Sequence, residues 1–382
     1  MSSNNAFTEF FNSEKAGGIM LLIATVLSLI LANSVIGPSY TELWSMYVGP
    51  LTLGYWINDG LMAIFFLLIG LELQREIYQG ELSTLKSAAL PLFGALGGVL
   101  LPAGIYMWLN AGTPTSSGAG IPMATDIAFA IGVLSLLGSR VPLSLKIFLT
   151  ALAVIDDLVA ILVIAIFYTS NLDIVSLGLS LGIFVLLLTL NKVFKVRLLW
   201  VYLIGGAAMW AFMLSSGVHA TIAGVLLAFT IPFTKGDHHS PAAKMEHTLH
   251  KPVAFFILPL FAMANTGIVI SSEWAQGLGE ASSMGIMLGL IFGKPIGIFF
   301  FSLVGSILGL CALPKDLKWT NILGVGFLGG IGFTMSIFIT LLAFKGDPLL
   351  IDNSKIAILL ASLTAGTIGY LFLSATLKKP QS

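Results

Sequence analysis

Two adjacent aspartates in the middle of an apolar run are the residues of this chain best suited to chemistry. The stretch 149–168 reads LTALAVIDDLVAILVIAIFY, with Asp156 and Asp157 near its centre. It is long enough for a membrane-spanning helix, which needs about 20 apolar residues. A charged side chain at the centre of such a helix costs about 2.5–3.5 kcal/mol. Two of them side by side therefore indicate a functional role, and a pair of satisfied structural acids is the alternative.

A lysine and a third aspartate lie in other apolar stretches. Lys294 follows an uninterrupted apolar run within the segment 284–310, where an unpaired ammonium group is costly. We therefore expect it to form an ion pair with an acid. The deepest acids available are Asp126, Asp156 and Asp157. An ion pair that is purely structural is the alternative.

Two interrupted segments are predicted to expose backbone groups near these side chains. The first, IPMATDIAFAIG at 121–132, opens with Pro122 and carries Thr125 and Asp126. The second, GVGFLGGIGFTMSIFI at 324–339, has five glycines in its first nine residues. Two interrupted segments at corresponding places in two halves indicate inverted-topology repeats, with a binding site near the bilayer midplane. Close helix packing through glycine is the alternative.

These carboxylates, hydroxyls and freed carbonyls form an oxygen-rich set, which suits a small hard cation such as Na⁺ or Li⁺. Burial favours the neutral forms of carboxyl and ammonium groups, so protons and the cation compete for the same carboxylates. A site that binds either of them, and that faces the two sides of the membrane in turn, exchanges one for the other. Two acids could carry more than one proton for each monovalent cation, which would make the exchange electrogenic.

Other functions fit the sequence less well. A proton-coupled carrier of an organic solute is the alternative within transport, although no aromatic-walled pocket is indicated. An intramembrane aspartyl protease would need a Gly-x-Gly-Asp motif, and the sequence contains none. The net charge of zero argues against a nucleic-acid binder. We therefore predict a secondary transporter, with no cofactor and no enzymatic activity.

The composition indicates a polytopic membrane protein. Hydrophobic residues make up 57% of the 382 residues and charged residues 9%, whereas soluble domains average about 25% charged residues. The single cysteine, Cys311, excludes a disulfide framework. We predict one all-α unit, 1–382, with a surface segment at 1–14 and two discontinuous helices that cross near the midplane. Twelve membrane-spanning segments are predicted, at 15–33, 56–78, 88–110, 121–138, 143–168, 174–193, 198–214, 217–233, 250–271, 284–310, 321–344 and 351–376.

The distribution of Lys and Arg orients these segments. With the N-terminus inside, 15 of the 18 Lys and Arg residues fall on the inner side and two in outer loops; the remaining one is Lys294. Both termini are therefore predicted to be cytoplasmic. The outer loop 34–55 alternates weakly around Gly49-Pro50, which suggests a hairpin. An exposed hairpin can pair with a second copy of the chain, and this favours a homodimer.

An acidic entrance is predicted at the cytoplasmic side. Glu72 and Glu76 are four residues apart and share one helix face, with Arg75 beside them. An acidic funnel raises the local concentration of cations. Ordinary interfacial charge is the alternative reading of these three residues.

Histidines suggest a response to pH, because this side chain titrates near neutral pH. The cytoplasmic loop 234–250 contains Glu246, His247 and His250, and we interpret it as a pH-sensing surface. A metal site and a featureless charged loop are the alternatives. His219 stands alone close to a helix end, where it is either a structural hydrogen-bonding residue or a titratable regulator.

Seven stretches along nearly the whole chain form a specific set. They are LIGLELQRE (68–76), IPMATDIAFAIGVLSLLGSRVP (121–142), AVIDDLVAI (153–161), SSGVHATIAG (215–224), PLFAMANTG (259–267), GKPIG (293–297) and GIGFTMSIFI (330–339). The set resembles the NhaA family of bacterial sodium/proton antiporters, which is itself a known example of inverted-topology repeats. The resemblance implies a homodimer in the bacterial inner membrane that extrudes Na⁺ or Li⁺ at alkaline pH in exchange for protons. Gln74 departs from the family motif, which often has a basic residue there.

The resemblance also implies roles for individual residues. Asp156 and Asp157 correspond to the pair that binds the cation and protons, and Lys294 to the lysine that pairs with Asp156 when the cation is absent. Thr125 and Asp126 correspond to the assembly of broken helices. The positions tied to pH regulation and to the entrance are Glu72, Glu76, His219, Glu246, His247 and His250.

Overall fold

The computed structural model describes residues 14–169, 172–237, 239–270 and 274–377. These residues are nearly all helical. Nine helices in the described ranges are long and apolar enough to cross a membrane, or ten if one pair bent by 47° counts as a single span. The prediction of an all-helical polytopic membrane protein is therefore confirmed. The predicted surface segment 1–14 lies, apart from Glu14, outside the described residues.

The elements are numbered here in chain order. Three helices contain a π turn, which inserts one residue into the helical repeat: Trp56–Leu61, Val253–Ile257 and Gly289–Gly293. The elements are α1 Glu14–Ala32, α2 Gly37–Leu43, β1 Tyr47–Val48, β2 Leu51–Thr52, α3 Leu53–Gln79, α4 Leu85–Asn110, a 3₁₀ segment Pro114–Met123, α5 Ile127–Ser135, α6 Leu143–Phe167, α7 Ile174–Lys192, α8 Leu199–Ser215, α9 Ile222–Thr230, α10 Pro241–Asn265, α11 Trp274–Leu278, α12 Ala281–Ile307, α13 Trp319–Gly329, α14 Phe333–Ala343 and α15 Pro348–Thr376.

Two hydrophobic clusters hold the helices together. The larger cluster joins α1, α4, α5, α6 and α12 to α15. The smaller cluster joins α7 and α8, and α3, α9 and α10 contribute to both. Among the described spans α6, which carries the paired aspartates, is the most buried, and α7 is the least buried. The costly acids therefore lie in the larger cluster, away from the lipid.

Two breaks in the helical path lie against each other. The 3₁₀ segment ends at Met123, and the chain is extended at Ala124 before α5 begins at Ile127. The second break separates α13 from α14. The backbone N–H of Asp126 donates to the carbonyl of Ile331 over 2.6 Å, so residues 205 positions apart pair as backbone neighbours. Both breaks fall within the interrupted segments that the sequence indicates.

Glycine permits the close approach at the second break. A Cβ on Gly330 would lie 2.3 Å from the carbonyl oxygen of Leu290 on α12, which is shorter than any real contact of that kind. The backbone of α12 therefore packs directly on the break. This contact holds the residues that follow Leu290 on α12 near the broken segment.

Two predicted segments have a different shape in the structure. The segment 217–233 contains only the nine-residue helix α9, because Ile231 is extended before Pro232, as residues before proline usually are. The segment 234–250, predicted as a loop, is helical from Pro241 onward. Ser240 caps this helix by accepting from the N–H of Ala243, and proline at the first helical position suits a helix start.

The outer loop contains a small hairpin. Strands β1 and β2 pair antiparallel, with Tyr47 opposite Thr52 and Val48 opposite Leu51. Gly49 has a φ of 67°, a left-handed conformation that glycine adopts without strain. The predicted hairpin is confirmed, and the side chains of β1 are exposed.

Candidate functional site

Helix α6 places Asp156 and Asp157 side by side, and each is only 1% exposed. Adjacent residues on a helix point about 100° apart, so the two carboxylates meet different surroundings. The Asp156 Oδ2 lies 2.7 Å from the Lys294 Nζ, and the Thr125 hydroxyl donates to it over 2.8 Å. Within the described part of the chain, both oxygens of Asp157 lack a hydrogen-bond partner.

Lys294 joins α12 to the first break. Its side chain is 0% exposed and follows directly after the π turn of α12. Besides its ion pair with Asp156, the ammonium group donates to the carbonyl oxygen of Met123. Met123 is the last residue of the 3₁₀ segment, so the lysine places a positive charge at the negative end of a helical dipole.

Asp126 supplies a negative charge at the starts of two helices. Its Oδ1 accepts from the backbone N–H of Phe129 over 3.0 Å, at the start of α5. Its Oδ2 accepts from the backbone N–H of Thr334 over 3.1 Å and from the hydroxyl of the same residue over 2.5 Å, at the start of α14. A carboxylate is stabilised by the positive end of a helix, and this one serves two. The Thr125 hydroxyl also lies 2.8 Å from the carbonyl oxygen of Gly329.

A cavity of about 560 Å³ reaches this site. Asp157, and not Asp156, lines it among the described residues. The buried lining residues Asp126, Asp157 and Thr334 mark its deep end. The exposed His247, His250 and Lys251 mark its mouth. One member of the aspartate pair is therefore open to the cavity, while the other is held by protein groups.

An ion-pair network lies at the mouth. Arg75 on α3 pairs with Glu76 over 3.1 Å and with Glu246 on α10. Glu76 also accepts from the backbone N–H of Glu81 over 3.0 Å. Glu72, Arg75 and Glu246 line the cavity. The structure thus brings together the predicted entrance residues of α3 and the predicted pH-sensing residues of α10.

His219 is not part of this cavity. It lies in the turn between α8 and α9, where its Nε2 is 2.9 Å from the carbonyl oxygen of Tyr168 at the end of α6. The structural reading of this histidine, as a hydrogen-bonding residue, has a clear partner. Its predicted role in pH regulation remains a prediction.

The metal-site alternative for the histidine segment finds no geometric support. In the described ranges, no three or more His, Cys, Asp and Glu side chains converge as ligands of a metal ion. Glu246 is instead engaged by Arg75. The metal reading is thereby disfavoured, and the pH-sensing surface and the featureless charged loop remain as predictions.

Several functional groups could not be named from the sequence. The carbonyl oxygens of Met123 and Gly329 are backbone groups that any residue offers. Pro122 and the glycine-rich stretch indicated freed carbonyls in general, but not which of them face a partner. Thr150, which lines the cavity on α6, carried no signal, because a threonine in an apolar helix is common.

A buried carboxylate without a partner is costly unless a proton or a cation neutralises it. Asp157 satisfies this description in the described structure, and it lies where the cavity reaches it. Asp156 is neutralised by Lys294. The arrangement can thus take up a proton or a small cation at the Asp157 carboxylate, while the Lys294 ammonium group neutralises the Asp156 carboxylate.

Known proteins of similar sequence are transporters by name. A sequence model of the family described as Na⁺/H⁺ antiporter 1 matches residues 8–373. A protein of Cytophaga hutchinsonii named Na⁺/H⁺ antiporter NhaA is 59% identical over 382 residues, covering 100% of this chain and 98% of that protein. Proteins of the same name from Flavobacterium psychrophilum and Dechloromonas aromatica are 61% and 60% identical, over 99% and 97% of this chain and 98% and 96% of their own lengths.

Proposed function

This chain belongs to the Na⁺/H⁺ antiporter 1 family, and we propose that it exchanges cytoplasmic Na⁺ or Li⁺ for external protons across the bacterial inner membrane. The relatives of similar sequence are named as Na⁺/H⁺ antiporters over nearly their full length. The proposal is for a secondary transporter that uses no cofactor. It is driven by the proton gradient, and it is not an enzyme.

The observation that carries this proposal is the division of the aspartate pair. Asp157 is buried, lines the cavity and lacks a hydrogen-bond partner among the described residues. Asp156 is held by Lys294 and Thr125. An incoming Na⁺ is bound first by Asp157, and it then displaces the Lys294 ammonium from Asp156. Oxygen ligands suit this ion, and the neighbouring threonine hydroxyl and freed carbonyls add to them.

Exchange follows from competition at the same oxygens. When protons neutralise the carboxylates the cation is released, and when Na⁺ binds the protons leave. If the pair and the lysine together carry two protons for each monovalent cation, the exchange moves net charge. Each such charge couples the cycle to the membrane potential by about 2.3 kcal/mol per 100 mV.

The broken helices allow the site to face the two sides in turn. Asp126 stabilises the starts of α5 and α14, and Lys294 the end of the 3₁₀ segment. The dipole ends are therefore neutralised by side chains that move with the breaks. We assign the breaks to two inverted repeats, within a twelve-helix unit whose termini are both cytoplasmic. The described cavity is then the inward-facing passage.

The mouth of the cavity supplies the response to pH. His247 and His250 lie at it, and histidine changes charge near neutral pH. Their protonation places positive charge on the path of an incoming cation. Loss of those protons at alkaline pH leaves the acidic entrance of Glu72, Glu76 and Glu246 more attractive to Na⁺.

The hairpin of β1 and β2 offers a site for a second copy. The strand β1 is exposed at its side chains and, among the described residues, pairs only with β2, so its other edge is open. Such an edge can pair with the same strand of another chain. We assign the protein to a homodimer in lipid on this ground.

The decisive test is Na⁺-driven proton flux in proteoliposomes that contain the purified protein and a trapped pH indicator. Asp157→Asn removes the carboxylate that faces the cavity, and we expect it to abolish flux with both Na⁺ and Li⁺. Asp156→Asn removes the partner of Lys294, and we expect at least a large loss. Retained flux in Asp157→Asn, or wild-type proton flux that requires neither cation, would overturn the proposal.

A further inference from the structure

The cavity contains two oxygen-bearing groups between its mouth and its deep end. Glu72 on α3 and Thr150 on α6 both line it. They are partly exposed, whereas Asp157 is 1% exposed and His247 at the mouth is exposed. This gradient of exposure orders the lining groups from the water inward. Thr150 lies between the mouth and Asp157, and Glu72 lies at the inner end of the predicted acidic entrance, where its charge acts on Asp157.

Helix geometry places Thr150 on the path to Asp157. Thr150 precedes it by seven residues, which is nearly two turns and about 10 Å along α6. The two side chains therefore share one face of the helix, and both line the cavity. On α3, Glu72 follows Phe65 by the same interval, and Phe65 also lines the cavity. Each helix thus presents one oxygen-bearing group two turns from a buried residue that also lines the cavity.

Helices α3 and α6 run antiparallel. The seven-residue interval on each helix therefore points toward the same end of the cavity. Asp59 near the start of α3 interacts with Lys345, and so does His219. His219 contacts Tyr168 at the end of α6. The start of α3 and the end of α6 are therefore on the same side of the molecule. The step from Asp157 to Thr150, toward the start of α6, therefore runs in the same direction as the step from Phe65 to Glu72, toward the end of α3.

Arg75, the nearest basic side chain on α3, acts on Glu72 through its charge but forms its ion pairs with other acids. Arg75 pairs with Glu76 and Glu246. Within the described part of the chain, no hydrogen bond or ion pair involves the Glu72 carboxylate or the Thr150 hydroxyl. A carboxylate and a hydroxyl on facing helices are thus both available to an ion in the cavity.

We propose that the Glu72 carboxylate and the Thr150 hydroxyl form a transit site, where a partly hydrated Na⁺ or Li⁺ pauses between the mouth and Asp157. The inference rests on the proposed exchange function. Hard cations take several oxygen ligands, and the cavity of about 560 Å³ has room for water to supply those that the protein does not. Thr150 thereby affects how readily the ion reaches Asp157, and it takes no part in the competition with protons.

The first test compares two substitutions at one position in the proteoliposome assay. Thr150→Val keeps the shape and removes the hydroxyl, whereas Thr150→Ser keeps the hydroxyl. We expect Thr150→Val to raise the apparent KM for Na⁺ by about three- to tenfold, the effect of one lost hydrogen-bonding ligand, with kcat unchanged because ground-state binding alone is removed. Thr150→Ser should stay within about twofold of wild type.

A matched control is Thr367→Val on α15, whose hydroxyl donates to a carbonyl of its own helix and which lies outside the cavity lining. It should leave the KM unchanged. A double-mutant cycle with Glu72→Gln tests whether the two groups act on one ion. A shared site predicts that the combined rise in KM is smaller than the product of the two single effects.

The second test does not depend on transport. Thr150→Cys is labelled with a small cationic thiol reagent, with the buried Cys311 as internal background. We expect Na⁺ to slow labelling and choline to leave it unchanged, and Glu72→Gln to remove the protection by Na⁺. The Thr150→Cys variant also tests the transit site if Thr150→Val fails to fold.

The outcomes separate the two proposals. If wild type exchanges Na⁺ but Thr150→Val has an unshifted KM, or Thr150→Ser shifts it as much as Thr150→Val, the transit site is wrong and the exchange function stands. Labelling that is indifferent to Na⁺ likewise overturns the transit site. If wild type itself does not exchange Na⁺ for protons, the proposed function fails.

Discussion

The ion pair of Lys294 with Asp156 and that of Arg75 with Glu246 differ in their access to water. The side chains of Lys294 and Asp156 are 0% exposed, whereas those of Arg75 and Glu246 at the mouth are 38% and 13% exposed. Burying a charged pair costs several kcal/mol for each ion, while an exposed pair contributes about 0–1 kcal/mol. The deep pair is thus sensitive to the loss of either partner, and the mouth pair acts mainly through its field.

The largest expected effect is at the deep pair. Lys294→Ala leaves the Asp156 carboxylate buried and uncompensated, which costs about 3–5 kcal/mol in comparable cases. We expect a marked fall in the melting temperature of the purified protein. The control is the double variant Lys294→Ala with Asp156→Asn, which removes both charges and should recover part of the loss. Equal melting temperatures for wild type and Lys294→Ala would show that the pair does not hold the deep site.

A smaller effect is expected at the hydrogen bond beside that pair. Thr125→Val removes a hydroxyl that lies 2.8 Å from both the Asp156 carboxylate and the Gly329 carbonyl. Because one hydroxyl donates to one acceptor at a time, we expect a cost of about 1.5–3 kcal/mol, typical of a bond to a charged group, in the free energy of unfolding. Thr340→Val is the control, since this buried hydroxyl donates to the carbonyl of Ser336 on its own helix and should cost less.

A substitution at the mouth should change the transport kinetics more than it changes the free energy of unfolding. Arg75→Gln removes the more accessible pair, and we expect it to lower the free energy of unfolding by less than Lys294→Ala does. It also makes the entrance more negative, so the apparent KM for Na⁺ should fall at low ionic strength and return to the wild-type value when salt screens the field. Lys86→Gln, an exposed change at the start of α4, should do neither. A large loss of stability in Arg75→Gln would remove the contrast between the two pairs.

The smallest effect concerns the histidines at the mouth. Changing His247 and His250 together to glutamine removes two imidazole side chains from the mouth of the cavity. We expect the pH of half-maximal exchange to shift to a lower value, with little change in the maximal rate. His239→Gln, an exposed change ahead of α10, is the control. An activation curve that does not move would reject the mouth as the pH-sensing surface.

The sequence was sufficient for the class of fold, and it named side chains that the structure places close together, although not the backbone groups beside them. The cost of burying a charge predicts that Lys294 has an acidic partner, and the interrupted segments predict backbone near it. The cost of burial alone does not choose among Asp126, Asp156 and Asp157, and only the resemblance to a known family implied Asp156. That choice depends on how α12 packs on the second break and on a rotation of about 100° between adjacent residues.

The end points of elements were harder to predict than their existence. The hydrophobicity of 217–233 is that of a span, yet Pro232 and a turn around His219 leave only nine helical residues. The histidine-rich segment is polar, and it is nevertheless helical because Ser240 and Pro241 start a helix there. Tertiary contacts such as the pairing of Arg75 with Glu246 join distant segments, and no local pattern encodes them.

The π turn Gly289–Gly293 has a consequence for how sequences of this kind can change. It adds one residue to the repeat immediately before Lys294, and each residue turns a helix by about 100°. Deleting a single residue from this turn would carry the lysine around α12 and away from Asp156, without altering one residue of the site. Insertions and deletions upstream on this helix are therefore under the same constraint as the ligands themselves. Tolerance to length change should therefore be low in the part of α12 ahead of Lys294, although that part supplies no charged side chain to the site.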